Sequence, residues 1–171
     1  YLGYFDDLQI NSISINSQEI TNGDLYISLA KNITNQKKFN LDAFNRGASL
    51  IVTNKKSLED REKKIIFVEN LDENLGSLSN KFYKNPSKKI KIFGITGTNG
   101  KSSVSYYLFQ FLNQIEKRNG LISNLNLKKS GIHFSNLTTP DIFTLNKILS
   151  SFISDKKKAA IFEVSSHGIK Q

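Results

Sequence analysis

The stretch GITGTNGKSS, residues 94–103, gathers residue types that can hold a phosphate. Gly97 and Gly100 permit backbone conformations that turn N–H groups inward. Lys101 adds a positive charge with the reach to touch terminal phosphates, and Ser102 can place its hydroxyl on Mg²⁺. A helix starting here would turn its positive end to the same anion. The common phosphate loop is written G-x-x-x-x-G-K-[ST], and counting back from Gly100 puts Ile95 where its first glycine belongs. On composition alone, an ordinary strand-to-helix turn with a solvent lysine reads the same way.

Few other residues have the types and surroundings for chemistry. Glu163 closes the apolar run KAAIFEV at its carboxyl end, the edge at which α/β sheets take ligands. A solvent glutamate at a strand end is the plain alternative. His167 lies in SSHG and reads first as a structural imidazole, and His133 has no motif around it. Cysteine is absent, which excludes disulfides and thiolate metal sites and fits a cytoplasmic protein. No apolar run is long enough to span a bilayer, and no signal-peptide pattern opens the chain, so no membrane partner is expected. The net charge of +9 comes from lysines scattered as pairs, such as Lys37-Lys38 and Lys88-Lys89, and the triple Lys156-Lys157-Lys158. A nucleic-acid footprint would cluster on one element with aromatics between, so no nucleic-acid partner is expected.

The elements that must position these residues follow from periodicity. The chain has 171 residues, enough for one ordinary domain or two small ones. GDLYISLA (23–30) reads as a strand, FNLDAFNRGA (39–48) as a short helix, and SLIVTN (49–54) and KIIFVEN (64–70) as buried strands. LDENLGSLSNKFY (71–83) carries Leu71, Leu75, Leu78 and Phe82 at helical spacing. The polar stretch KNPSKK (84–89) with Pro86 is the best domain boundary. IKIFGIT (90–96) then reads as a central parallel strand, and Val104, Leu108, Phe111, Leu112 and Ile115 as one helical face. NGLIS (119–123) suggests a turn and a strand. TTPDIFTLNKILSSFIS (138–154) is a helix that Thr139 can cap, with Pro140 at its first position and Asp141 near the positive end. Its stripe is Ile142, Leu145, Leu149 and Phe152, and a buried strand over 158–164 follows. Strand, loop, helix, strand, helix, strand predicts an α/β fold: a small α/β domain over 1–87 and the start of a doubly wound domain over 88–171. The phosphate-loop candidate falls between its strand and its helix, the context that reading requires.

TGTNGKSS resembles the ATP loop of the Mur ligases and of the related folylpolyglutamate synthases, T-G-[TS]-N-G-K-[TSG]. LTTPD (137–141), EVSSHG (163–168) and FYKNPSKKIKIFGITGTNGK (82–101) resemble the signatures of the tripeptide-synthetase (MurE) branch of that family. In the first half, INSQEITNGDLYISL (15–29) and FNRGASLIVTN (44–54) are similar to its DSR…GDLF and A-x-x-x-GA-x-x-[IV][IV] segments. The resemblance runs through nearly the whole chain in order.

The resemblance implies a ligase that transfers the ATP γ-phosphate to the carboxylate of UDP-MurNAc-L-Ala-D-Glu. The amine of a third amino acid, diaminopimelate or lysine, then attacks the acyl phosphate. It implies ATP binding by Gly97, Thr98, Asn99, Gly100, Lys101, Ser102 and Ser103, with Mg²⁺ held by Ser102 and Glu163. Lys101 and Glu163 are the catalytic pair in that reading. Ile15, Ser17, Asn32, Thr34, Thr138, Thr139, Ser165 and Gln171 match positions that contact the UDP-substrate. Two departures stand out. The family's Asp-Ser-Arg is Asn16-Ser17-Gln18, and its glycine-containing loop after GDLF is KNITNQKKF (31–39). The chain opens at Tyr1, contains no Met and stops at Gln171, so it is expected to be an inactive, monomeric fragment of a longer enzyme. The residues that choose the third amino acid and the family's carbamylated lysine would lie beyond it. A folylpolyglutamate synthase would lack EVSSHG, a GTPase would need an N-K-x-D that the chain does not contain, and a basic nucleic-acid module would show steeply salt-dependent binding.

Overall fold

The computed structural model describes residues 9–29, 31–56, 64–123 and 139–165. It divides into two compact units, Tyr1–Leu75 and Gly76–Gln171, each built on its own parallel sheet.

In the first unit β1 (Ile13–Ser14), β2 (Leu25–Ser28), β3 (Leu50–Thr53) and β4 (Ile65–Phe67) lie side by side in chain order, all parallel. β2 and β3 pair from Leu25↔Leu50 to Ser28↔Thr53 and are buried at every position. The apolar runs Leu25–Ile27 and Leu50–Val52 within them are what a strand covered on both faces requires. β4 is an edge strand and is only half buried, with Phe67 exposed, so the buried strand expected over 64–70 is corrected to a short edge. Ile20, Tyr26, Ala43, Ala48 and Ile51 form the core.

Helix α1 (Ile33–Asn45) crosses between β2 and β3 and begins well before the 39–48 expected from periodicity. Two causes explain the difference. Asn32 caps the start, its side chain accepting from the Asn35 N–H at 2.8 Å. The buried face is Gln36, Asn40 and Ala43, a mostly polar stripe to which an apolar template is blind. α2 (Leu71–Phe82) begins in the first unit and ends in the second.

In the second unit β5 (Lys91–Ile95), β6 (Asn119–Ile122) and β7 (Ala159–Glu163) are parallel in the order β5-β7-β6. The centre is therefore β7, buried throughout, and not β5, whose residues are exposed or half buried. Helix α3 (Lys101–Ile115) joins β5 to β6, and α4 (Ile142–Ser154) leads into β7. Ile90, Ile122, Ile148, Leu149, Ala160 and Phe162 make the core, with Leu145 and Phe152 packed against it. A Cβ at Gly120 would run into the Phe152 ring, so β6 needs glycine where α4 crosses it.

The second half of α2 is tied to α4 by a buried polar knot. Ser79 Oγ donates to the Ile142 carbonyl at 3.1 Å and accepts from Asn146 Nδ2 at 2.9 Å, which also reaches Asn80 Oδ1 at 3.1 Å. The α4 cap is also corrected. Asp141, not Thr139, caps the helix, accepting from the Phe143 and Thr144 N–H groups at 2.9 and 3.2 Å, and Pro140 lies outside it. The single face expected on α3 splits. Leu108 and Leu112 are half buried, while Val104, Phe111 and Ile115 face outward.

Candidate active site

Residues 96–100 connect β5 to α3, with Gly97 and Gly100 at φ 147° and 80°, conformations that a side chain strains. Gly100 is the N-cap of α3 and brings no capping side chain. α1 and α4 are closed by Asn32 and Asp141, whereas the first-turn N–H groups of α3 are left for another acceptor. An anion at the positive helix end is the natural partner. Lys101 folds back over the loop, its Nζ donating to the carbonyls of Gly97 at 2.6 Å and Thr98 at 3.3 Å. The ammonium is thus held at the loop instead of trailing into solvent. Thr98, Asn99, Ser102 and Ser103 are exposed along the same segment. Ser102 also accepts at its carbonyl from Ser105 Oγ at 3.0 Å, which steadies the first turn.

Sheet register brings Glu163 to the root of this loop, because Ile95, the last residue of β5, pairs with Glu163 at the end of β7. Glu163 is only 7% exposed. Carboxylate and serine hydroxyl oxygens are hard donors that suit Mg²⁺, so the residues present fit that ion.

Thr139 joins the start of α4 to the end of β7. Its Oγ1 donates to the Glu163 carbonyl at 3.2 Å, accepts from the Ser165 N–H at 2.8 Å and lies 3.1 Å from Ser165 Oγ. Three candidates from two motifs, TTPD and EVSSHG, are therefore brought together. Thr138, Gln171 and His167 lie outside the described residues.

The first-unit candidates are more dispersed. Ile15 is exposed after β1, while Ser17 is buried and its hydroxyl supports the Asp42 carboxylate of α1. That hydrogen bond and Arg46, 3.1 Å away, hold the Asp42 carboxyl below its ordinary value. Asn32 and Thr34 sit at the start of α1, beyond the carboxyl end of β2, and the Asn32 side chain is taken up by its cap. Periodicity gave no sign of Gln36, Thr53 and Lys55, which form a polar cluster at the same edge. A glutamine inside a helix beside a threonine-ended strand was the only available hint.

The profile of the Mur ligase middle domain matches residues 95–171. The UDP-N-acetylmuramoyl-L-alanyl-D-glutamate–2,6-diaminopimelate ligase of Wigglesworthia glossinidia brevipalpis is 32% identical over 96% of this chain and 35% of its own length. The Prochlorococcus marinus protein of the same name is 31% identical over 96% of this chain and 34% of its own. Among solved structures, a ligase of that name superposes with a TM-score of 0.71 at 19% identity, covering 94% of this chain and 33% of the other. MurF of Thermotoga maritima, solved with ADP, gives 0.57 at 19% identity, with the same coverage. The family profile falls on the loop, Glu163 and the Thr139 junction, and the relatives extend the match through the first unit. The chain belongs to the Mur ligase family and spans about a third of the length of the diaminopimelate ligases it matches.

Proposed function

We propose that this chain is the nucleotide-handling portion of an ATP-dependent ligase of peptidoglycan precursor synthesis, which adds diaminopimelate to UDP-MurNAc-L-Ala-D-Glu. Residues 1–87 bind the UDP-substrate, and residues 88–171 begin a doubly wound ATPase domain. The observation that carries this reading is the pairing of Ile95 with Glu163, which sets a strand-end carboxylate beside a glycine loop closed by Lys101.

The chemistry follows from that arrangement. The substrate carboxylate attacks the γ-phosphorus of ATP, ADP leaves, and the amine of the incoming amino acid displaces phosphate from the acyl phosphate to form the amide. The uncapped first turn of α3 and the Gly97–Gly100 backbone orient the phosphates. Lys101 exchanges its loop carbonyls for phosphate oxygens and neutralises charge that grows as the γ-phosphoryl moves. Ser102 and Glu163 would hold Mg²⁺, which supplies charge neutralisation on the phosphates. Thr139 fixes the backbone on both sides of Val164, so that Glu163 and Ser165 keep their places.

Titration calorimetry with Mg-ATP tests the reading. The chain should bind, and Lys101→Ala should weaken binding at least about tenfold by removing a charge-assisted contact. Equal binding by Lys101→Ala would overturn the site. A full-length ligase carrying this sequence should form the tripeptide with diaminopimelate, and lose acyl-phosphate formation on Glu163→Ala. Lysine incorporated in its place would correct the choice of amino acid.

A further inference from the structure

The segment that opens α1, residues 31–36, contains no glycine to set its shape by a left-handed turn. A ring of polar contacts sets it instead. The Lys55 ammonium donates to the Lys31 carbonyl. The Lys55 carbonyl accepts from Gln36 Nε2 at 2.9 Å, and its N–H donates to Thr53 Oγ1 at 3.3 Å. Gln36 Nε2 closes the ring on Thr53 Oγ1 at 2.6 Å, and Gln36 and Thr53 are 1% and 0% exposed. Asn32, between Lys31 and Gln36, caps the helix onto Asn35. The end of β3, the connection after β2 and the first turn of α1 are thereby joined through one lysine. Freezing a lysine chain costs rotamer freedom, and the buried Gln36–Thr53 pair provides the fixed base for it.

This ring lies at the carboxyl end of parallel strands, where Ser28 and Thr53 are the last paired residues and where α/β sheets take ligands. Asn32 and Thr34, the candidates for nucleotide contact, are in the clasped segment. We infer that Lys55 is a positioning residue for the nucleotide part of the substrate, holding residues 31–36 in binding shape without touching the nucleotide. This rests on the UDP-substrate reading of the first unit given above.

The test compares the chain with Lys55→Met, which keeps the apolar stem and removes the donor, and Lys55→Arg, which keeps a donor and the charge. UDP is the probe in calorimetry, and amide hydrogen exchange over residues 31–36 is read without nucleotide. Lys55→Met should bind UDP about tenfold more weakly, with exchange in that segment about tenfold faster and unchanged circular dichroism. Lys55→Arg should stay within about threefold of the parent in both. Equal UDP affinity in Lys55→Met would overturn the inference. Weaker binding with unchanged exchange would also overturn it, by making Lys55 a direct contact. If the parent binds no UDP while Lys55→Met still exchanges faster, the nucleotide reading of the unit falls and takes the positioning role with it.

Discussion

Each unit carries a parallel sheet with a helical crossover, yet the two leave very different surfaces. In the first, β2 and β3 are buried at all positions, and the exposed apolar residues are scattered. In the second, β5 exposes Ile92 and Phe93, while α3 exposes Val104, Tyr106, Tyr107, Phe111 and Ile115, the last two at 59% and 70%. Apolar residues that recur on one strand and one helix are ordinarily covered. The same sequence signal, an apolar run or stripe, thus means a finished core in one unit and a face with no cover from the described residues in the other. Hydrophobic periodicity reports where a residue is suited to lie, and burial depends on what packs against it.

The contrast can be attacked in order of expected effect. Ile161, fully buried in β7, should cost about 2–5 kcal/mol when cut to Ala, whereas Phe111→Ala on the open face of α3 should change stability by less than about 0.5 kcal/mol. Urea unfolding separates these, and a large loss from Phe111→Ala would show that the face is covered after all. Next, sedimentation over a concentration series should show the chain associating through this face, against the monomer expected from sequence. Replacing Phe111 with Asp and Ile115 with Lys together should weaken that association about tenfold or more, near 1.4 kcal/mol. A parent that stays monomeric at high concentration would remove the contrast.

Helix caps sharpen the comparison on a finer scale. Asp141 accepts from two backbone N–H groups and from Thr144 Oγ1 at 2.6 Å, while Asn32 accepts from one N–H. Both changes to Ala should destabilise, by about 1–2 kcal/mol for Asp141 and nearer 0.5–1 kcal/mol for Asn32. Equal losses in thermal melts would say that the extra bonds add nothing. Smallest is the pH response of Asp42, whose carboxyl lies below its ordinary 3.8 because of Ser17 first and Arg46 second. A carboxyl depressed in the folded state adds stability that is complete above the unfolded value and lost as pH falls through the folded one. The gap in urea midpoint between the parent and Asp42→Asn should therefore be constant above about pH 5 and close towards pH 2–3. A gap that persists in acid would assign it to packing.

How much was legible in the residues follows the same division. The loop, its strand and its helix were readable because glycine, lysine and serine have few other reasons to occur in that order at a strand end. Glu163 was readable as a strand-terminal acid, but its pairing opposite Ile95 depends on β7 inserting between β5 and β6, a choice that no local pattern carries. The early start of α1 was hidden because Gln36 and Asn40 face the sheet. Lys55 was hidden among scattered lysine pairs, since an ammonium that clasps a carbonyl and one that faces water have the same letter in a sequence. Thr139 was expected to cap a helix, whereas its hydroxyl is spent on Glu163 and Ser165, contacts fixed only by tertiary structure.

The order of strands in the second sheet also sets a sequence of events. In the first sheet Leu25 pairs with Leu50, so the central ladder is complete soon after β3 exists. In the second, Lys91 must wait for Ala159, more than twice as far along the chain, before β5 gains its neighbour. Long-range closure slows folding, and a chain made from its N-terminus supplies β7 last. Until residue 163 has emerged from the ribosome, β5 and its phosphate loop lack the full ladder with β7 that the described residues form. For that interval an apolar strand with exposed Ile92 and Phe93 depends on keeping clear of other nascent chains.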